Sequence, residues 1–299
     1  MKILLTGSSG QLGKELIQIK PKGFTLIESN RSSIDLTNHS LCHQMIKEIK
    51  PDWVINCAAY TNVDKAETEK DLALNINALA PKAFSEALKE TGGKLLQIST
   101  DFVFDGKRST PYPTDHKRNP LGIYGLSKCK GEEYIEDILF ESNQAIILRT
   151  SWLMGPVGKN FALTILDLHK KRTEVKVISD QIGCPTSTRS LSKACWQIIQ
   201  LENSKIFSIE KKIPILHWCD NGVASWYDVA VAISDIAKDL NLITKPANII
   251  PIKTESFPLA AKRPSYSLLD CFSTKKLLKN EGNHWRHLLL DTLKSIKNN

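Results

Sequence analysis

The sequence predicts an α/β fold, a doubly wound parallel sheet in the first half followed by a smaller, less regular C-terminal lobe. Two observations carry that expectation. Short apolar runs alternate with helical stretches as far as about residue 152, and a glycine-rich turn directly follows the first run. A chain of 299 residues suffices for one large α/β unit or for a sheet domain with a second lobe. The division expected is 1–152 and 153–299, approximate at its boundary, with room for some later strands to return to the sheet.

The elements follow in order. Met1-Lys2-Ile3-Leu4-Leu5 sets a basic residue before an apolar run, but Thr6-Gly7-Ser8 ends it well short of a signal peptide, so it reads as a buried first strand. A helix is expected from about Gln11. Strands are expected at 24–27, 53–57, 94–98 and 145–149, with periodic helical segments at 41–49 and 71–91 between them. Beyond Trp152 isolated helices are expected at about 161–171, 190–201 and 227–240. Pro185, Pro214, Pro251, Pro258 and Pro264 mark the loops around them. This part is expected to cap the carboxyl edge of the sheet.

Composition narrows the function. Hydrophobic residues make up 41% and charged residues 24%, the proportions of a chain that folds throughout. No stretch approaches the roughly 18 apolar residues of a membrane helix, so no membrane association is expected. The seven cysteines are scattered and form no C-x-x-C pair, which fits a reducing cytoplasm better than a zinc site or disulfide framework. A net charge of +8 is spread along helix-like faces with no basic cluster among aromatics, which speaks against nucleic acid as a partner. The same excess would attract anionic nucleotides.

Gly7-Ser8-Ser9-Gly10-Gln11-Leu12-Gly13 lies between the first strand and the first helix, the context that a dinucleotide phosphate loop needs. Glycines let the backbone approach a pyrophosphate, and free N–H groups at the helix start favour its charge. The spacing is G-x-x-G-x-x-G, and any tight strand-to-helix turn wants glycine, so the triplet alone decides little. Glu28, 21 positions after Gly7, adds weight, because an acidic side chain ending the second strand would bond the adenosine ribose hydroxyls. Arg31 would instead pair with a 2′-phosphate or stay solvated, so NADH and NADPH both remain open.

Tyr124-Gly125-Leu126-Ser127-Lys128 sets a phenol and an ammonium on one helix face. A phenol of pKa about 10 exchanges protons poorly at neutral pH without a nearby cation, which Lys128 would supply. A lone pair of this kind is commonly an ordinary surface contact. Here Ser99-Thr100-Asp101 also brings hydroxyls to the carboxyl edge, where open α/β sheets bind ligands, and Thr100 would hold a carbonyl oxygen.

These motifs resemble the extended short-chain dehydrogenase/reductases. Further segments resemble one branch, the dTDP-4-dehydrorhamnose reductases: residues 56–67 (Asn56-Cys57-Ala58-Ala59-Tyr60-Thr61 onward), 99–106, Arg149-Thr150-Ser151-Trp152, 180–186 and Arg263-Pro264. The match runs almost end to end. It implies a Rossmann-type sheet holding NADPH or NADH, with a substrate-binding lobe mainly in 153–299. It also implies reduction of the C4 ketone of dTDP-4-dehydro-β-L-rhamnose, a step toward cell-surface polysaccharide precursors.

By the same resemblance, Tyr124 would protonate the new alkoxide, Lys128 would hold the nicotinamide ribose, and Thr100 would bind the carbonyl oxygen. Gly7, Gly10, Gln11, Leu12 and Gly13 would line the pyrophosphate, Asp35 and Leu36 the adenine side, and Ala58, Ala59, Tyr60 and Thr61 the middle of the cofactor. Asp101 and Trp152, with Thr100 and Tyr124, would meet the sugar. A tryptophan just past a strand is, without the family match, more often simple packing.

Departures from the family pattern are Phe102, where tyrosine is common, and Ser267, near which an arginine is frequent. Some members bind magnesium through glutamates at a subunit contact, yet Thr188-Arg189-Ser190 offers no carboxylate there, and no metal is predicted. Another nucleotide-sugar reductase or epimerase would carry the same residues. So would a noncatalytic NADP-binding subunit resembling the β subunit of methionine adenosyltransferase. A monomer or a homodimer is expected.

Overall fold

The computed structural model describes residues 1–201 and 213–297. The first half runs β1 (Lys2–Thr6), α1 (Gln11–Gln18), β2 (Thr25–Ser29), α2 (His39–Ile49) and β3 (Trp53–Asn56). Short helices α3 (Val63–Ala66) and α4 (Lys70–Leu74) lead through a wide π turn at Asn75–Leu79 into α5 (Ala80–Thr91). Then come β4 (Lys94–Thr100), α6 (Ile123–Leu139) and β5 (Ala145–Thr150). The second half has β6 (Leu153–Met154), α7 (Phe161–Lys171), β7 (Glu174–Ile178), β8 (Ile182–Gly183), β9 (Thr186–Ser187) and α8 (Thr188–Leu201). It closes with β10 (Ile215–His217), β11 (Ala224–Ser225), α9 (Trp226–Asp239), β12 (Asn248–Ile252), α10 (Phe272–Leu278) and α11 (Trp285–Lys297).

Six parallel strands form the central sheet in the order β2-β1-β3-β4-β5-β10. Its middle strands are buried on both faces, so they are apolar at consecutive positions rather than alternate ones. Side chains still divide by strand period. Ile3 and Leu5 join Leu12 and Leu16 of α1 and the apolar face of α8 in one cluster, while Leu4 joins residues of α2, α5 and α6 in another. The doubly wound sheet expected from the sequence is therefore present. Both β10 and α8 come from the second half of the chain, so the later segment completes the sheet at one edge and covers one of its faces.

The rest of the second half makes its own core. Helices α7, α9 and α11 pack with the parallel pair β7 and β12 around Val175, Val177, Ile233 and Leu293. Helix α7 occupies the expected 161–171, and its start is capped by Asn160 accepting from the Leu163 N–H. The expected 71–91 helix is instead broken by the π turn, a feature that hydrophobic periodicity does not reveal.

Strand order reverses between β1 and β3, because the chain passes outward from β1 to β2 and then returns to the other side of β1. That switch point opens a crevice at the carboxyl ends of β1 and β3. Gly7 stands in it with φ +71°, and a Cβ there would lie 2.7 Å from the Ala58 backbone nitrogen. The two strand-following loops thus touch backbone to backbone. Gly7→Ala should cost roughly 2 kcal/mol or more, from a strained φ and a forced separation of the loops. Thermal unfolding together with NADPH affinity checks this, and both should fall.

Candidate active site

Helix α6 carries the chemistry because its buried face repeats every four residues: Tyr124, Lys128 and Glu132 follow one another down the helix against the sheet. Its first turn is held by Glu67, whose Oε1 accepts from the Ile123 N–H at 2.8 Å. From the other side, β4 delivers Ile98, Ser99 and Thr100 to the carboxyl edge. Lys128 Nζ donates to the Ile98 carbonyl at 2.7 Å. Thr100 Oγ1 donates to Asp101 Oδ1 at 3.0 Å and accepts from the Phe102 N–H at 3.2 Å, and Thr100 acts to lower the proton affinity of the Tyr124 phenol. The three residues expected to work together are therefore neighbours.

Burial sets their proton affinities. It pushes the half-buried Tyr124 phenol up to about 12, against the lowering effect of Thr100. It pulls Lys128 down to about 8, while Glu132 acts in the opposite sense and favours the ammonium. Asp101 is only 2% exposed and rises to about 6 through burial, in spite of hydroxyls from Ser267 and Thr100, and its Oδ2 has no hydrogen-bond partner. At neutral pH the site thus offers a protonated phenol whose neighbouring charge is Asp101, which raises it further, whereas the charges acting on Lys128 are those of Glu132 and Cys57.

Under this group lies an ion-pair network. Glu132 receives Arg149 of β5 through Nε at 2.9 Å and Nη2 at 2.6 Å, Arg118 at 2.7 Å, and the Ser99 hydroxyl. Arg149 continues to the Thr114 carbonyl at 3.2 Å and lies over the Phe104 ring. Burial works against charge on Glu132, but the two guanidiniums hold its carboxyl below the usual range. A second brace is Asn77, in the π turn. It accepts from the Tyr60 N–H at 2.9 Å and donates to Ser127 Oγ at 3.0 Å, tying the loop after β3 to the first turns of α6. Sequence reasoning passed over both residues. Glu132 was visible as the next step of the Tyr124, Lys128 spacing, whereas Asn77 carried no local signal.

The residues expected on the cofactor are divided between the turn after β1, the stretch around the end of β2, the loop after β3 and the core. Gly7, Gly10 and Gly13 make the turn into α1, with the Gly10 N–H bonded to the Gly7 carbonyl at 2.9 Å. Leu12 is buried. The Gln11 side chain reaches the second lobe, where Asn160 donates to it at 3.2 Å. Ala58, Ala59 and Tyr60 are half-buried after β3, and the Tyr60 hydroxyl donates to Glu69 at 2.6 Å. Thr61, Glu28 and Arg31 are exposed. Asp35 is occupied by Thr37, and Leu36 packs into the core. The glycine turn presents backbone rather than side chains at the start of α1, which is what a dinucleotide pyrophosphate needs there. These residues fit one.

Trp152 stacks on Trp226 with ring centroids 3.6 Å apart and lines a cavity of about 340 Å³ with Phe102, Phe161, Gln181 and Arg263. The Phe102 ring meets Tyr124 edge-on at 5.5 Å, which joins the cavity to the hydroxyl group. Arg263 is clamped by Asp64 at 2.7 Å and 3.1 Å, so the second lobe is pinned to α3 across the crevice. At 188–190, where a magnesium would need a carboxylate, Arg189 instead donates to Glu15 at 2.8 Å, and the residues do not fit a metal. Among the described residues no three His, Cys, Asp or Glu side chains are grouped to hold one.

Glu132→Gln should lower stability by about 3 to 5 kcal/mol, because two buried guanidiniums lose their counter-charge. Chemical denaturation would register it, and an effect below about 1 kcal/mol would contradict a tightly coupled network.

Comparison with known proteins bears on all of this. Residues 1–298 match the family model described as the RmlD substrate binding domain. A curated dTDP-4-dehydrorhamnose reductase of Aggregatibacter actinomycetemcomitans is 34% identical over 290 residues, spanning 96% of this chain and 97% of that protein. A spore coat polysaccharide biosynthesis protein of Bacillus subtilis is 36% identical over 298 residues, spanning 98% and 96%. Among solved structures, a dTDP-4-dehydrorhamnose reductase of Clostridium acetobutylicum superposes with TM-score 0.89 at 36% identity, covering 99% of this chain and 100% of that one. One from Bacillus anthracis in complex with NADP gives 0.87 at 35%, covering 98% and 99%. With the sheet, the crevice and the Thr100, Tyr124, Lys128 group in hand, the chain belongs to the dTDP-4-dehydrorhamnose reductase family.

Proposed function

We propose that this protein reduces the C4 ketone of dTDP-4-dehydro-β-L-rhamnose to dTDP-β-L-rhamnose at the expense of NADPH or NADH. The observation that carries the reading is the gathering of Thr100, Tyr124 and Lys128 at the carboxyl end of β4, on the same edge of the sheet as the glycine turn and separated from it by the loop after β3. NADP in the Bacillus anthracis relative supports NADPH. The reduced nicotinamide, when bound, supplies the hydride.

The chain's own residues do the rest. Thr100 Oγ1 holds the ketone oxygen, and Tyr124 Oη delivers a proton to that oxygen as negative charge builds on it. A phenol whose pKa burial has pushed up to about 12 is fully protonated at neutral pH, the state that a proton donor in a reduction requires. Lys128 faces the resulting phenolate as an ammonium, kept in place by the Ile98 carbonyl, and meets the nicotinamide ribose. Asp101, buried behind Thr100, accepts the Thr100 hydroxyl at 3.0 Å and so orients the residue that holds the ketone oxygen. Gly7, Gly10, Gly13 and the first N–H groups of α1 receive the pyrophosphate. Ala58 to Thr61 flank the middle of the cofactor, and Glu28, Arg31 and Asp35 stand on its adenosine side. Residues 153–299 supply most of the substrate wall.

Among the described residues no helix is long and apolar enough to cross a membrane. All seven cysteines are free thiols, six of them buried. We place the protein in the cytoplasm, as a monomer or homodimer with no nucleic-acid partner.

Purified protein should consume NADPH only when the keto sugar nucleotide is present. Tyr124→Phe should keep NADPH affinity and lose roughly 10²- to 10⁴-fold in kcat. Near-normal turnover would remove Tyr124 from the mechanism. Lys128 must stay protonated, and burial has lowered its pKa to about 8. Rising pH therefore discharges it, and kcat/KM should decline with an apparent pKa near 8. A profile flat to pH 9.5 would contradict the role.

A further inference from the structure

Trp152 has a left-handed backbone, φ +45°, which a bulky side chain adopts only when its surroundings enforce it. The enforcing contacts come from one short antiparallel ladder. Strand β8 pairs with β11 so that Gly183 faces Ala224 and Ile182 faces Ser225, which brings Gly183 and Trp226 to one place from positions about forty apart. Trp226 lies flat against the Trp152 indole, with interplanar angle 8°. Gly183 lies against the same indole so closely that a Cβ on it would meet ring atoms at 2.7 to 2.9 Å. Phe161 backs Trp226 at 4.6 Å, and the Ser225–Asp228 capping box fixes the helix start on which Trp226 sits. The Trp152 indole is thus held in a slot. It is nevertheless only half-buried, and it forms part of the cavity wall facing Phe102.

We infer that Trp226 is a positioning residue for the substrate: with Gly183 it forms the slot that presents the Trp152 indole as the wall against which the sugar packs. This rests on the sugar-nucleotide reduction proposed above. An indole offers a flat apolar face to the C–H side of a sugar ring, and its value depends on being rigid before the sugar arrives. Trp226 lines the same cavity, but its ring contacts are Trp152 and Phe161, whereas the ring against Tyr124 is Phe102, so its effect belongs in substrate affinity. It also explains the 180–186 segment, whose glycine is required by the indole rather than by a turn.

The test uses Trp226→Ala, Trp226→Phe and Gly183→Ala in the full-length enzyme, with steady-state kinetics on the keto sugar nucleotide, NADPH affinity and near-UV circular dichroism. Trp226→Ala and Gly183→Ala should raise KM about tenfold or more with kcat altered less than about threefold, and Trp226→Phe should restore KM to within about threefold. NADPH affinity should not move in any of them. The exciton signal of the stacked indoles should be present in the parent protein and absent from both Trp226 variants. Unchanged KM in Trp226→Ala and Gly183→Ala, or a loss confined to kcat, overturns the inference. If Trp226→Ala does not fold, Gly183→Ala decides. A parent enzyme without turnover instead sinks the reading on which the inference rests.

Discussion

Glu132 places a carboxylate where no water reaches, between the guanidiniums of Arg149 and Arg118 and against the hydroxyl of Ser99. Each partner belongs to a different part of the fold: Arg149 to β5, Ser99 to β4, Arg118 to the long connection before α6. A buried pair of this kind gains little net stability over an apolar one, but losing either partner is expensive. What it provides is position. Ser99 stands between Ile98, which anchors Lys128, and Thr100, which bonds Asp101, so the carboxylate locks α6 to the end of β4.

The same burial that makes the network costly makes the site reactive. Tyr124, Lys128 and Asp101 all have their proton affinities displaced mainly by loss of water, each toward its neutral form. Glu132 opposes that trend at Lys128 alone, because it lies one helical turn away. A phenol kept protonated and a lysine favoured as the ammonium by Glu132 sit one helical turn apart on α6. Loops alone would not hold them, so the pair is carried on a helix and braced by Asn77 from the π turn.

The second half of the chain serves the site in two ways. It finishes the sheet with β10 and α8, and it builds an apolar cavity beside Phe102. Contacts of Arg263 with Asp64 and of Asn160 with Gln11 tie the lobe to α3 and to the start of α1. The charge of Arg189 on Glu15 adds a third tie and uses the carboxylate that a cation would otherwise seek.

Local chemistry made some of this legible in the sequence. The parallel sheet followed from apolar runs separated by periodic helices, the phosphate loop from glycines placed between a strand and a helix, and the Tyr124, Lys128 pair from a four-residue spacing. Helix α7 was legible from its spacing, and the structure adds Asn160 as its cap. These are properties of short segments, and short segments retain them wherever they lie. Asn77, the grip of Gly183 and Trp226 on Trp152, and the return of β10 to the sheet depend on residues tens of positions apart in the chain. Glu132 was half visible: its place on the helix face could be counted, but the arginines that let a carboxylate survive there come from outside the helix. The sequence alone thus determined the fold class and the candidate reacting groups, while only tertiary structure decided what holds those groups in register, because burial and ion pairing arise between segments and not within them.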